Sequence, residues 1–200
     1  MGQGRPYHHG DLRNALIDAT MELVRERGAR GFSVSEAARR AGVSISAPYR
    51  HFADRDSMLA AAAMLGFREL EARFDTLLAG QSFGDHAAQI AVSYLRFALE
   101  YPARFEVMFA PGIDRLRHPE MLGQAERVQQ RLEDTLAPYL DGEPLAERAA
   151  QLWALAHGVA TLAVEGALQH FIGDQHYERI AENAARAWSA GVQPTPPGGT

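Results

Sequence analysis

The residues able to do chemistry fall into two groups. The first runs from Ser33 to Phe52, SVSEAARRAGVSISAPYRHF. Ser33, Ser35 and Ser44 stand where helix N-termini are expected. Free backbone N–H groups and the positive end of a helix dipole suit a phosphate there. Ser44, Ile45, Ser46 and Ala47 follow a glycine turn as short, uncharged side chains. At the exposed start of a helix they can reach base edges or thymine methyls in a major groove. Tyr49, Arg50, His51 and Arg55 are expected to lie on one exposed surface. The second group lies far down the chain. Trp153 and His157 share a helix face, and Thr161 and Glu165 continue it. With Phe97, Tyr101, Phe105, Met108 and Phe109 they would line an apolar pocket in which His and Thr orient a small ligand. The alternative is that Trp153 packs in the core and His157 satisfies a buried backbone group. Glu165 sits either at an interface edge or paired inside a pocket, because buried acids are rarely left alone.

The chain has no cysteine, which excludes disulfides, thiolate zinc sites and cysteine nucleophiles. It carries no Gly-x-Ser-x-Gly, no phosphate loop and no His-Glu-x-x-His, so no catalytic constellation is expected. His8, His9 and Asp11 lack further ligands for a metal, and neither metal nor cofactor is expected. Acid pairs such as Glu133-Asp134 read as solvated faces. The N-terminus has no apolar core for a signal peptide. The longest apolar run, Met58 to Phe67, falls short of the ~20 residues that span a bilayer. A cytoplasmic location without membrane contact is the expectation.

The formal net charge of −5 is unlike that of a protein meeting a polyanion. Its distribution matters more than its sum. Residues 1–56 hold nine arginines against seven acids, and residues 57–200 hold eleven against eighteen. The surplus of positive charge is therefore N-terminal. Arg5 in the N-terminal arm could enter a minor groove or lie in solvent.

The elements that must position these residues are helical. Leu12, Leu16, Ala19 and Leu23 recur at helix spacing up to Gly28 and Gly31. Ser33-Val34-Ser35-Glu36 is a capping box. The helix it opens ends at Gly42, suited to the positive φ of a tight turn. Small Ala38 lets the next helix approach, and Val43 anchors the turn. Ser44 is expected to cap a third helix through Phe52, and Asp54 a fourth toward Leu78. Further helices are expected over Asp85–Tyr101, Ala103–Phe109, Pro119–Tyr139, Leu145–Phe171 and Gln175–Ala190, before a disordered tail. No strand is apparent, so the fold class is all-α.

The stretch AGVSISAPYRHF, with Asp54 to Leu59 after it and YHHGDLRNALIDATMELVRERGARGFSVSEAARRAGVS before it, resembles the DNA-binding domain of TetR-family regulators over roughly residues 8–60. The resemblance implies that Tyr49, His51 and Arg55 hold phosphates. Pro48 departs from the pattern, standing where an aliphatic residue is usual and removing one N–H. Trp153-Ala-Leu-Ala-His157-Gly158 resembles the Trp-His-Gly C-terminal domain of one subgroup. Together these imply a helix-turn-helix domain over 1–56, a helical effector-binding and dimerisation domain over 57–190, and a tail over 191–200. They imply a repressor that binds a palindromic operator as a homodimer through its last two helices. A small hydrophobic effector would release it. The rival expectation is a helical ligand-binding protein that has lost DNA binding.

Overall fold

The computed structural model describes residues 9–77, 82–140, 144–171 and 176–192. Eight α-helices are described: α1 (His9–Arg27), α2 (Val34–Arg40), α3 (Arg55–Asp75), α4 (Phe83–Glu100), α5 (Pro102–Met108), α6 (Pro119–Leu136), α7 (Leu145–Val164) and α8 (Tyr177–Gly191). Single 3₁₀ turns sit at Pro48–Arg50, Arg115–Arg117, Ala137–Tyr139 and Ala167–His170. No strand occurs among the described residues. No described helix is long and apolar enough to cross a membrane, and no described cluster of His, Asp and Glu could hold a metal ion. His8, the expected tail from 193 onward and the N-terminal arm lie outside the described residues. So do the side chains of His9 and Asp11.

The chain divides into two compact units. One comprises the chain up to Phe67 with Ala103–Gln124, and the other Arg68–Pro102 with Ala125 onward. The division does not follow the chain linearly: α5 beyond Pro102 and the start of α6 belong with the N-terminal helices. In that first unit Leu16, Ile17, Leu23, Ala37, Ala38, Phe52, Met58 and Leu59 are buried, as helix periodicity predicts for most of them. Phe105 and Met108 of α5 join this core, and Phe109 packs edge-on against Phe67 with ring centroids 6.2 Å apart. A Cβ on Gly66 would lie 2.5 Å from Met108 Sδ and 3.3 Å from the Arg104 carbonyl oxygen, so a larger residue would force the Met108 side chain to shift.

The second unit is built on α4, α7 and α8, each packed on the other two. α4 buries aromatic and aliphatic residues, among them Phe83, Ile90, Tyr94, Leu95 and Phe97. α7 meets it with four alanines and a leucine, Ala149, Leu152, Ala156, Ala160 and Ala163, and α8 with Tyr177, Ala181, Ala185 and Ser189. Ala160 and Ala163 are therefore buried in their own unit.

Two helices end elsewhere than the apolar pattern suggests, one earlier and one later. The helix expected to reach Phe171 stops at Val164, because Gly166 takes φ +72° and the chain continues as a 3₁₀ turn. At the C-terminus α8 extends to Gly191 and Val192 is buried, so the first two residues of the expected tail belong to the fold.

Candidate nucleic-acid interface

The helix-turn-helix is locally encoded up to Gly42. The Ser33 hydroxyl accepts the Glu36 N–H at 3.3 Å, and the Glu36 carboxylate accepts the Ser33 N–H at 2.8 Å. At the other end Gly42 adopts φ +70°. Its N–H donates to the Arg39 carbonyl and that of Val43 to the Ala38 carbonyl, 3.1 and 3.0 Å. This paired arrangement closes the helix and turns the chain. Val43 itself is half-buried, short of the anchoring role expected of it.

Beyond the turn the expected third α-helix does not form. An α-helix opened at Ser44 would need the N–H of residue 48 on the Ser44 carbonyl, and proline has none. Ala47 N–H donates to that carbonyl instead (3.0 Å), Arg50 N–H to Ala47 (3.2 Å), and His51 and Phe52 N–H share the Pro48 carbonyl (both 2.9 Å). The result is a tight segment with one 3₁₀ turn, seated by buried Pro48 and Phe52. Ser44 does not cap it; its hydroxyl meets that of Ser46 at 3.2 Å.

This segment leaves a defined exposed surface. Ile45 is 53 % exposed and Tyr49 56 %, four residues apart, beside exposed Ser44, Ser46 and Arg50. Ala47 and His51 are half-buried at its edge, and Ser35 is half-buried on α2. Arg40, by contrast, is tied to Glu26 through two bonds of 2.5 and 2.8 Å.

Two expected phosphate positions have other partners. The Ser33 hydroxyl is used within the capping box, and the Glu36 carboxylate stands at the start of α2, itself held by Arg27 at 2.8 Å. Its pKa is lowered by the Ser33 and Arg27 hydrogen bonds, so a negative charge already occupies that helix start. The Arg55 guanidinium turns inward. Nε donates to the Phe32 carbonyl at 3.1 Å, Nη2 donates to the Ala29 carbonyl, and the group lies 4.7 Å over the Phe32 ring. Arg55 thus joins the start of α3 to the loop between α1 and α2.

Sequence reasoning missed three residues that hold this unit from the far side of the chain. Glu106 accepts the N–H of buried Ala29 at 2.6 Å. Arg117 donates to Asp54 at 2.8 Å, and His118 meets Asp56 at 2.9 Å. Asp54 caps α3 by accepting the Ser57 N–H at 2.8 Å. That bond, followed by the Arg117 contact, holds its carboxyl down at about 2. These contacts are separated by more than sixty residues, and no local pattern announces them.

The residues expected to line an effector pocket fall in both units. Phe105, Met108 and Phe109 are packed in the first unit, the remaining six in the second. Within the second unit Trp153 and His157 converge on Tyr94, a residue the sequence did not single out. The Tyr94 hydroxyl lies 2.9 Å from His157 Nδ1 and also receives a hydrogen bond from Trp153. Burial pushes this phenol well above its usual pKa, and burial lowers that of His157. His157 therefore meets a buried side-chain hydroxyl. Trp153 is 42 % exposed, so it is not core within the chain. Glu165 is exposed at the end of α7, which removes the reading as a buried, paired acid. Phe97 is fully buried, and it and Tyr101 lie under the Arg73 guanidinium at 5.8 and 5.5 Å. Thr161 Oγ1 is buried with no hydrogen-bond partner among the described residues.

Two cavities among the described residues have different walls. One of about 300 Å³ in the first unit is lined by residues including Arg13, Phe52, Met64, His118 and Met121. One of about 580 Å³ in the second unit is lined by α4 and α8 residues and the end of α3, among them Arg73, Arg96, Glu178 and Arg186.

Comparison with known proteins gives this geometry a context. Residues 16–62 match the family model for bacterial regulatory proteins of the tetR family. Residues 87–187 match a tetracyclin repressor-like C-terminal domain. No curated protein sequence matches the chain. Among solved structures, a protein of unknown function from Rhodococcus sp. RHA1 is 26 % identical with a TM-score of 0.76, covering 94 % of this chain and 99 % of its own. A transcriptional regulator from the same organism is 25 % identical with a TM-score of 0.72, covering 92 % and 99 %. A TetR/AcrR-family transcriptional regulator from Thermobifida fusca, 21 % identical with a TM-score of 0.62 and covering 92 % and 99 %, shares the fold.

Proposed function

The chain belongs to the TetR family of transcriptional regulators, and from that premise we propose that it is a homodimeric repressor. It binds a palindromic operator, and a small effector releases it. The observation that carries the proposal is the exposed surface of Ser44, Ile45, Ser46, Tyr49 and Arg50 behind a tightly closed glycine turn. An isoleucine and a tyrosine more than half exposed beside hydroxyls and a guanidinium form a surface fitted to a groove floor and its phosphates. Ser35, Ala47 and His51 flank it as further contacts. Arg55 and Ser33 act from within, holding that surface in place.

Dimerisation is supported by the large apolar side chains that α7 leaves exposed. Trp153 is 42 % exposed, Leu162 44 % and Val164 36 %. Helices that pair with a copy of themselves bury such side chains. A two-fold dimer presents two reading surfaces and requires two half-sites about 34–36 Å, or one DNA turn, apart. The Trp153–Tyr94–His157 cluster supports placement in the Trp-His-Gly subgroup. The protein acts in the cytoplasm, on duplex DNA and without catalysis. A hydrophobic effector is favoured by the aromatic and methionine content of residues 97–109, and the charged walls of the larger cavity favour a polar one.

Selection from random duplex DNA tests the proposal, with sedimentation measured on the free protein and on the complex. An inverted repeat bound by two chains is the expected outcome. Enrichment of an asymmetric site bound by one chain would remove the dimeric reading. For any candidate effector, equal operator affinity with and without saturating compound excludes release by that compound.

A further inference from the structure

We propose that Ile45 is the specificity-determining residue of the reading surface, and that each operator half-site presents a thymine 5-methyl group to it. The inference rests on residues 44–49 being the DNA-facing surface and adds what that surface recognises.

Between Val43 and Tyr49 there is no guanidinium, carboxamide, ammonium or carboxylate. The bidentate hydrogen bonds that pick out guanine or adenine in a major groove need such groups. Apart from the Tyr49 phenol, the side-chain hydroxyls of this surface belong to Ser44 and Ser46, and these two lie 3.2 Å from one another. Each therefore has a partner already, and a serine hydroxyl bonds donors and acceptors alike, which discriminates little. What the tip offers instead is an apolar group. Ile45 stands 53 % exposed between the two serines, while the apolar neighbour that could have covered it, Pro48, is buried beneath the turn.

On the floor of the major groove one base alone carries a projecting apolar group, the C5-methyl of thymine. Removing that methyl and the isoleucine surface together from water is favourable wherever the two meet. The missing N–H of Pro48 contributes by holding the segment as a short turn, so that Ile45 lies at its start. Arg50 is exposed five residues further on, at the end of the 3₁₀ turn, and is suited to the backbone rather than to the base beside Ile45.

The test uses the full-length protein and an operator obtained by random-sequence selection. Each thymine of one half-site is replaced in turn by deoxyuracil, which keeps the hydrogen-bonding edge and lacks only the methyl. At one thymine the replacement is expected to weaken binding about fourfold, the worth of one methyl group taken out of water, and about fifteenfold when made in both half-sites. Ile45→Ala should abolish the difference between thymine and deoxyuracil at that position alone, and Ile45→Val should retain most of it. Because the side chain is half exposed, unchanged melting temperatures are expected for both variants. Deoxyuracil that binds like thymine everywhere, or an Ile45→Ala protein that still distinguishes them, overturns the proposal while leaving DNA reading by this surface intact. Failure of any sequence to enrich over random DNA overturns the reading of the surface itself.

Discussion

Replacing Arg55 separates two accounts of the same residue. If its guanidinium held a DNA phosphate, Arg55→Ala would leave the free protein's stability unchanged and remove one phosphate contact. The structure instead gives it two carbonyl acceptors, Phe32 and Ala29, and the face of the Phe32 ring at 4.7 Å. Hydrogen bonds to a charged group contribute about 1.5–3 kcal/mol each, and an arginine over an aromatic ring about 0.5–1 kcal/mol at exposed sites. Arg55 is only half-buried, and water can replace part of what is lost. The expected cost of Arg55→Ala is therefore about 2–3 kcal/mol. For a chain of this length that corresponds to a fall in melting temperature of roughly 4–12 °C. Arg55→Lys can keep one bond but not the fork, and should lie between wild type and alanine. The assay is urea unfolding of the free proteins, followed by operator binding over a salt series at a temperature where the variants are folded. Our account expects lost stability with an unchanged salt slope. An alanine variant as stable as wild type, whose log K against log salt is shallower by about one, would refute the reasoning.

Other perturbations follow from the same geometry. Gly42→Ala meets no atom within 4 Å but must adopt φ +70°, so it should cost about 1–2 kcal/mol in urea unfolding through backbone strain alone. Gly42→Asn should cost less. Gly66→Ala places a Cβ 2.5 Å from Met108 Sδ and 3.3 Å from the Arg104 carbonyl, so it should destabilise by about 1–3 kcal/mol; a neutral result would mean α5 packs less closely than described. His157 has a lowered pKa in the folded chain, so the unfolded chain takes up its proton first as pH falls. Its contribution is complete above about pH 6.5 and declines below it. His157→Asn should flatten the difference in urea midpoint between pH 7.5 and 5.5, and an unaltered pH dependence would contradict the assignment.

Much of the reading unit was legible because its signals are local. A capping box, a glycine at positive φ and leucines at helix spacing each act within a turn or two of chain, where periodicity can be read. The third helix failed for an equally local reason: Pro48 removes the one N–H that would have closed its first turn, an effect that outweighs the helical setting around it. The same is true of Gly166, which ends α7 although apolar residues continue to Phe171. What could not be read is long-range pairing. Glu106 on Ala29, Arg117 on Asp54 and His118 on Asp56 join segments more than sixty residues apart. Nothing in the identity of an arginine on a charged surface says which carboxylate it meets. Tyr94 was passed over because a tyrosine amid alanines and leucines reads as ordinary core. Only the fold reveals that Trp153 and His157 both turn their polar atoms toward its hydroxyl. The residues expected at an effector pocket divide between the units for a related reason: aromatic content marks burial without saying which unit receives it.

The most direct measurement is the affinity of the purified protein for its selected operator, by fluorescence anisotropy across a salt series with random DNA as competitor. Our account predicts binding that resists competitor, saturates at two chains per palindrome and weakens steeply as salt rises, the signature of many phosphate contacts beneath specific base reading. Binding no tighter than to random DNA, or indifferent to salt, would contradict a DNA-reading role for the surface around Ile45 and Tyr49.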